Sequence, residues 1–324
     1  MRKSRFKRRI LRTVRFTAIS WNLFHGRDFP PDPALFTWRS RLLRRSERNA
    51  THVQVNRDLA REFASLLAAA DWDVALLLEA PPRCAAPLAR ACGAEAHRVL
   101  TSRNSLGRLR AAAARLNPDL IASAEGGSNL TLVRPAAPSS RSAAPFGSYV
   151  HKKNSGTESR PRRIVERREL TIHAGPLERR AMALTRVAHG SGHGSGRSGR
   201  DEALLCVANL HASANRPDLA AADVLRAGAA ASAWAGEAPL LFGGDLNLRP
   251  AESPAVFAKL RERFGLAGTT GPRAIDHLLA RGLEAIDPPR QWPPERRELR
   301  EDGLALRLSD HAPVEARFAT LTPR

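Results

Sequence analysis

Apolar residues along this chain gather in short runs, most of them too brief for a helix. Phe16–Trp21 alternates and is rich in β-formers, which predicts a first core strand. Asp73–Leu78 reads DVALLL and stops at Glu79-Ala80-Pro81-Pro82, as a buried strand should, because proline cannot continue a central strand. Asn129–Val133 follows Gly126-Gly127 as another strand, and Ile164–His173 with Arg180–Val187 predicts a hairpin across Gly175-Pro176. Leu204–His211 (LLCVANLH) ends in a polar triplet. In Leu240–Asn247 (LLFGGDLN) a glycine pair is expected to end the strand and turn the chain, leaving an acid and an amide two residues apart on one side. A carboxylate beside an amide can hold a water, a phosphate or a metal; Asp and Asn also satisfy local backbone in turns. Ala274–Ala280 is a strand with an acid inside it, and Val314, Ala316 and Phe318 mark a further strand.

Helical spacing appears in Val53–Ala70 (Val55, Leu59, Phe63, Leu66, Leu67), with Asn56 as a cap, and in Leu106–Leu116, Leu219–Trp234 and near Ala255–Phe264. Strands and helices interleave, giving an α/β class. Residues 136–161 (Ser-, Pro- and Arg-rich) and 189–200 (containing GSGHGSGRSG) read as surface loops within one domain spanning 16–320. Residues 1–15 read as a basic arm, with no cleavable leader after it.

Charge sharpens the picture. Lys+Arg is 52 against Asp+Glu at 32, a formal net charge of +20. Such an excess points to a polyanion, nucleic acid before an anionic membrane surface. With only five lysines in an Arg-, Ala- and Pro-rich chain, genome-wide codon bias also contributes. No apolar stretch approaches a membrane span. Three cysteines (Cys84, Cys92, Cys206) form no disulfide or zinc framework, so a cytoplasmic setting is expected.

The candidate chemistry lies where strands meet polar residues. Asn22 follows AISW, Glu79 follows DVALLL, Asn209 and His211 close VANLH, Asp245 and Asn247 close GGDLN, Asp276 lies in AIDHL, and Asp310-His311 precedes the strand at 314. Several such groups in one chain suggest a shared rim. A serine elbow, a P-loop, GxGxxG and a helical zinc motif are all absent, and His189 and His193 lie in a Gly/Ser stretch. What remains is hard oxygen donors plus histidines, a set that suits Mg²⁺ (or Mn²⁺) and phosphate-ester hydrolysis by an activated water.

SWN, LLLEA, NLH, GDLN, IDH and SDHAPV, in this order over about Phe16–Phe318, resemble the endonuclease/exonuclease/phosphatase superfamily of deoxyribonucleases, abasic endonucleases, sphingomyelinases and inositol polyphosphate 5-phosphatases. The resemblance implies a four-layer sandwich of two mostly antiparallel β-sheets flanked by helices. It implies Glu79 as principal metal ligand with Asn22 and Asp310 beside it, and Asp310 as the partner orienting His311. His311 would act on the phosphate, Asp245 on the attacking water, Asn247 on either, and His211 as general acid supported by Asp276. Phe24 replaces the acid that many abasic endonucleases carry two residues after the asparagine, and Asn209-Leu210-His211 replaces their tyrosine motif. Both departures point toward the deoxyribonuclease/sphingomyelinase-like pattern. Three functions follow for comparison: a monomeric metal-dependent phosphodiesterase on nucleic acid, DNA before RNA, which is favoured; the same chemistry on a lipid head group or small ester; and a non-catalytic nucleic-acid-binding protein. Trp21, Trp72 and Trp234 read as core, and Cys84 as an inert thiol.

Overall fold

A computed structural model describes residues 14–102, 106–135, 162–174, 179–189 and 203–320. The expected loop over 136–161, all but the first residue of that over 189–200, the 175–176 turn and nearly all of the basic arm lie outside these residues; His189, expected in a loop, instead ends a strand and is buried. In chain order the elements are β1 (Arg15–Asn22), α1 (Trp38–Leu43), the two-residue strands β2 (Glu47–Arg48) and β3 (Val53–Gln54), α2 (Ala60–Ala69), β4 (Val74–Ala80), α3 (Ala85–Cys92) and β5 (Glu95–Leu100). Next come α4 (Gly107–Leu116), α5 (Pro118–Ile121), β6 (Ser128–Val133), β7 (Arg162–Ala174), β8 (Arg179–His189), β9 (Ala203–His211), α6 (Pro217–Ala235) and β10 (Leu240–Asp245). Then follow α7 (Pro254–Phe264), β11 (Asp276–Arg281), β12 (Leu283–Gln291), β13 (Glu298–Glu301), β14 (Leu304–Arg307) and β15 (Val314–Thr320).

The strands form a six-stranded sheet, β12-β15-β1-β4-β6-β5, and a five-stranded sheet, β11-β10-β9-β8-β7. Each sheet is antiparallel except for one parallel pair, β1/β4 and β9/β10. A helix lies between the partners of each parallel pair, α2 in the first and α6 in the second, as the long crossover of a parallel connection demands.

Period-2 alternation sorts the side chains into layers. On β1, Phe16 and Ala18 face the other sheet while Ile19 and Trp21 face α2 and α3; on β4, Val74 and Leu76 face inward while Ala75 and Leu77 face outward. On β9, Leu205 and Val207 face inward, and Cys206, Ala208 and Leu210 meet α6 and α7. The architecture is therefore helices, sheet, sheet, helices: the expected four-layer sandwich. Trp21 and Trp72 are core, and Cys84, Cys92 and Cys206 are buried free thiols. No helix among the described residues is long and apolar enough to cross a membrane.

The helix expected over Val53–Ala70 is shorter. Val53 and Val55 are buried on and beside β3, and α2 begins only at Ala60. Asn56 does not cap α2; its Nδ2 reaches the Arg41 carbonyl and Asn117 Oδ1, and its Oδ1 accepts from Asp119 N–H in the first turn of α5.

Asp28 is fully buried beside this segment, its Oδ2 accepting from Val55 N–H at 2.8 Å. Burial, with Asp119 nearby adding to it, pushes its carboxyl up from 3.8 to about 8. Between those values the folded state binds the extra proton. This contribution to stability is thus complete below pH ~4 and is lost as pH rises through ~8. Asn at position 28 keeps an acceptor for Val55 without the charge. Melting curves of Asp28→Asn and wild type across this window should diverge, the variant gaining as pH rises; a pH-independent difference would refute the assignment.

Candidate active site

Inward-facing positions change from apolar to polar at one end of each central strand. They run Phe16, Ala18, Ser20, Asn22 on β1, then Leu205, Val207, Asn209, His211 on β9 and Leu241, Gly243, Asp245 on β10; β11 starts at Asp276 and continues with Leu278. Parallel register sets His211 beside Asp245, and antiparallel register sets Asp276 opposite Asp245. The polar ends of both sheets thus meet in one seam. Below it, Asn129 Nδ2 donates to the Ala181 carbonyl at 2.8 Å and Asn209 Nδ2 to the Leu77 carbonyl at 3.4 Å, bonds that cross between the sheets. Asn209 is therefore floor rather than rim.

Glu79 breaks the alternation. With Val74 and Leu76 inward, position 79 should face the outer helices. A register shift between Leu77 and Ala80 and a left-handed φ of 46° at Glu79 turn its carboxylate into the seam. Bulges re-aim side chains in this way beside functional sites. There Glu79 Oε2 lies 3.2 Å from His25 Nε2 and Oε1 lies 3.8 Å from His211 Nε2.

The glycine pair does not end β10, which continues in register through Asp245. A Cβ on Gly243 would lie 2.5 Å from the His277 carbonyl oxygen, and one on Gly244 2.0 Å from that of Leu210. Close approach of flanking strands, and φ +127° at Gly244, require glycine here.

Asp245 is the hub. Its Oδ2 accepts from Asn22 Nδ2 at 3.1 Å and lies 3.5 Å from His211 Nε2 and 3.8 Å from His311 Nε2. Its Oδ1 accepts from Asn247 N–H at 3.0 Å, an Asx turn that puts Asn247 at φ 51° with its Nδ2 on the Ala212 carbonyl. The local-turn and site readings of GDLN therefore hold together.

His311 Nδ1 pairs with Asp276 Oδ2 at 2.7 Å, while Asp310 Oδ1 is 3.9 Å from His311 Nε2. The expected pairing is thus corrected: Asp276 orients His311 rather than His211, because register places Asp276 on the strand facing the 310–311 loop. That loop is pinned by its backbone. The His311 carbonyl accepts from Trp21 Nε1 at 3.0 Å and Arg297 Nη1 at 2.7 Å, and Ser309 Oγ donates to the Asn22 carbonyl at 2.6 Å.

The charges divide the roles. Burial lowers the His311 pKa, but Asp276, with Asp245 and Asp310 behind it, outweighs this and pushes it up to about 10, so His311 is an imidazolium with Nε2–H free to face an anion. Burial, with Arg180 in the same direction, brings His211 down to about 3, leaving it neutral. Burial and then Asp276 push the Asp245 carboxyl up, toward the range of a working base. Asp310, at the mouth, is raised by partial burial and by the Glu79 carboxylate near it. Burial pushes the Glu79 carboxyl up, but His211, His25 and a hydrogen bond from Asn22 outweigh it and hold it below its ordinary range; Glu79, Asp310 and Asn22 together form a hard-oxygen set suited to a divalent cation. Asp245, Asp276 and His311 also offer ligand atoms within 4.8 Å of one another, and Asp276 Oδ1 is buried without a partner. His311 Nδ1 and Asp276 Oδ2 already satisfy each other, so free donors favour the Glu79–Asp310 side.

Of the nine residues singled out in the sequence, eight lie at this seam and Asn209 lies beneath it. Sequence reasoning missed His25 and Arg27. Both follow Asn22 closely in NLFHGR; a histidine three residues past the rim asparagine was the available signal. Arg27 stacks over Phe24 at 3.7 Å and donates to the Asp119 carbonyl at 3.2 Å. Beside the centre, a cavity of about 170 Å³ is lined by Arg249, Arg273 and Gln291 together with Asp276, Asp310 and His311.

Comparison with known proteins adds the following. A family model described as the endonuclease/exonuclease/phosphatase family matches residues 19–311. A search of the curated proteins found no match. Among solved structures, the chain resembles an endonuclease/exonuclease/phosphatase family protein from Bacteroides thetaiotaomicron (13% identity, 96% of this chain and 99% of that one, TM-score 0.55). It also resembles a mannosyl-6-phosphatase of Bacteroides thetaiotaomicron VPI-5482 (13% identity, 93% and 98%, TM-score 0.53). A third likeness is to the human Nocturnin catalytic domain with bound sulfate (13% identity, 95% and 97%, TM-score 0.52). At these identities the structures speak for the fold.

Proposed function

The chain belongs to the endonuclease/exonuclease/phosphatase family, and from that premise we propose that it is a phosphodiesterase cutting nucleic acid, DNA before RNA. Members of the family are metal-dependent phosphoric ester hydrolases, and this chain is one. The observation that carries the reading is the convergence on Asp245 Oδ2 of Asn22 and His311 from the side of the six-stranded sheet and of His211 from the neighbouring strand of the five-stranded sheet, at 3.1–3.8 Å.

In this reading Glu79, Asp310 and Asn22 would hold Mg²⁺ or Mn²⁺, which would supply electrophilic stabilisation of the charge on the phosphate. Asp245 orients the water and takes its proton, and Asn247 fixes the loop that presents Asp245. His311, held by Asp276, donates from Nε2 to the phosphate as its charge grows. Neutral His211 donates a hydrogen bond from its ring N–H to an oxygen of the scissile group, and the leaving alcohol takes its proton from the His311 imidazolium. His25 and Arg27 set the position of Glu79 and of the segment that follows Asn22.

The net charge of +20 and the cavity lined by Arg249 and Arg273 support a polyanionic substrate. At about 170 Å³ the cavity is below the ~300–1,000 Å³ of drug-sized sites. It suits one phosphate unit of a longer chain.

The test is cleavage of supercoiled plasmid and of a generic small bis-phosphodiester, with Mg²⁺, Mn²⁺ or chelator, with Glu79→Ala as control. The expected result is metal-dependent nicking that the variant lacks. Turnover of the small diester alone would overturn the nucleic-acid assignment and keep the chemistry. Undiminished nicking by Glu79→Ala would overturn the metal assignment.

A further inference from the structure

Ten large apolar side chains are exposed among the described residues, and eight of them fall in two short stretches, 29–43 and 106–120. Scattered exposed leucines are ordinary; a concentration of this kind marks an interaction surface. Trp38 and Leu42, one turn apart on α1, are 67% and 46% exposed; Leu109 and Leu116, two turns apart on α4, are 68% and 62% exposed.

The two stretches form one surface. Arg41 Nη2 donates to the Asp119 carbonyl at 2.8 Å, and Asn117 Nδ2 donates to the Arg41 carbonyl at 2.8 Å. This clamp holds the end of α1 against the junction of α4 and α5, and Leu42, Leu116 and Leu120 are the chain neighbours of the clamped residues.

The same surface is strongly basic. Residues 29–46 and 106–120 contain seven arginines against two acids, Asp32 and the buried Asp119. Arg39, Arg44, Arg45, Arg108 and Arg115 are exposed. A second copy of the chain is a poor occupant, because a two-fold contact would set arginines against arginines. A nucleic acid would engage the arginines and leave the leucines idle. An occupant that presents a dense anionic layer over an apolar one satisfies both sets at once.

We propose that this face docks on a bilayer containing anionic phospholipid, with Trp38, Leu42 and Leu116 entering the boundary between head groups and acyl chains and the arginines engaging lipid phosphates. Indole rings favour that depth. The face adjoins the catalytic mouth: Arg27 reaches the same Asp119 carbonyl as Arg41 and lies among charges that include Glu79 and Asp310. Docking therefore holds the active site close to the membrane surface, whichever phosphate ester is cut there.

The test is flotation of the intact protein with vesicles of phosphatidylcholine alone and of phosphatidylcholine mixed with phosphatidylglycerol. The wild type should float with the mixed vesicles only. Leu42→Ser/Leu116→Ser should weaken partitioning about tenfold or more, and Arg44→Ala/Arg45→Ala about tenfold, with hydrolysis of a soluble diester unchanged in both. In the unsubstituted protein, brominated acyl chains should quench the exposed Trp38. Failure to float with mixed vesicles, absence of quenching, or full binding by the serine variant would overturn the proposal. So would concentration-dependent dimers, or DNA affinity, that the serine variant abolishes.

Discussion

Asp245→Asn is expected to lower kcat by about 10²–10⁴-fold while the protein melts at the same temperature or higher. The carboxylate is buried, with Asp276 opposite it on β11. Ionised, it is a burden on the folded state that the flanking imidazoles only partly offset. Asparagine keeps the Oδ1 acceptor for Asn247 N–H but loses the oxygen that accepts from Asn22 Nδ2; relief of the buried charge offsets that one lost hydrogen bond, so the net structural cost is small or negative. What it removes is the group that takes a proton from water. Loss of kcat with little change in KM, together with an unchanged or raised Tm, is the signature of a residue retained for chemistry at the expense of stability. A variant retaining near-wild-type kcat would take Asp245 out of the mechanism.

Gly244→Ala is expected to do the reverse: it attacks the fold first. The added Cβ would lie 2.0 Å from the Leu210 carbonyl oxygen and 2.9 Å from Leu78 Cδ2, at a backbone φ of +127°. The first contact is with the backbone of a hydrogen-bonded neighbour strand, which cannot swing away like a side-chain tip. Separating β10 from β9 would also part His211 from Asp245, which lie side by side in register. Overpacking and left-handed strain together should cost about 3–5 kcal/mol or more, a large share of a typical domain's stability. Urea titration should show the loss as a lower midpoint or as insoluble expression. An unchanged midpoint would mean that the two strands are farther apart than described here.

The strands that build the centre were legible because each carries an uninterrupted apolar run that turns polar at one end, as in DVALLLE and LLCVANLH. Their order and the SDHAPV segment carried the fold and pointed to the eight candidate residues that line the seam. Edge strands were not legible. β12 contains Pro288 and Pro289 and shifts register twice against β15, tolerable only at an edge. β5, the opposite edge, reads EAHRVL with weak alternation. Pairings across the seam were also hidden. That Asp276 serves His311 follows from β11 lying antiparallel to β10, which no spacing reveals. The inward turn of Glu79 depends on a bulge in a run that sequence alone reads as regular. The role of Gly244 was obscured because a glycine needed for close strand approach looks the same in sequence as one needed for a turn.

The closure of β1 against β15 has a consequence for the birth of the protein. Phe16 pairs with Phe318, and Val14 N–H reaches Thr320 Oγ1 across 306 positions. Asn22 and Glu79 leave the ribosome early, but the segment that carries Asp310 and His311 is held by Trp21 and Asn22 only once residues 309–320 have emerged. At about 5–20 residues per second, that wait lasts roughly 15–60 s. Throughout it the nascent chain, tethered to a particle made largely of RNA, has the first set of residues but not the second, and so no assembled centre. An enzyme that hydrolyses phosphate esters is thereby kept silent during translation by the order in which its strands are made.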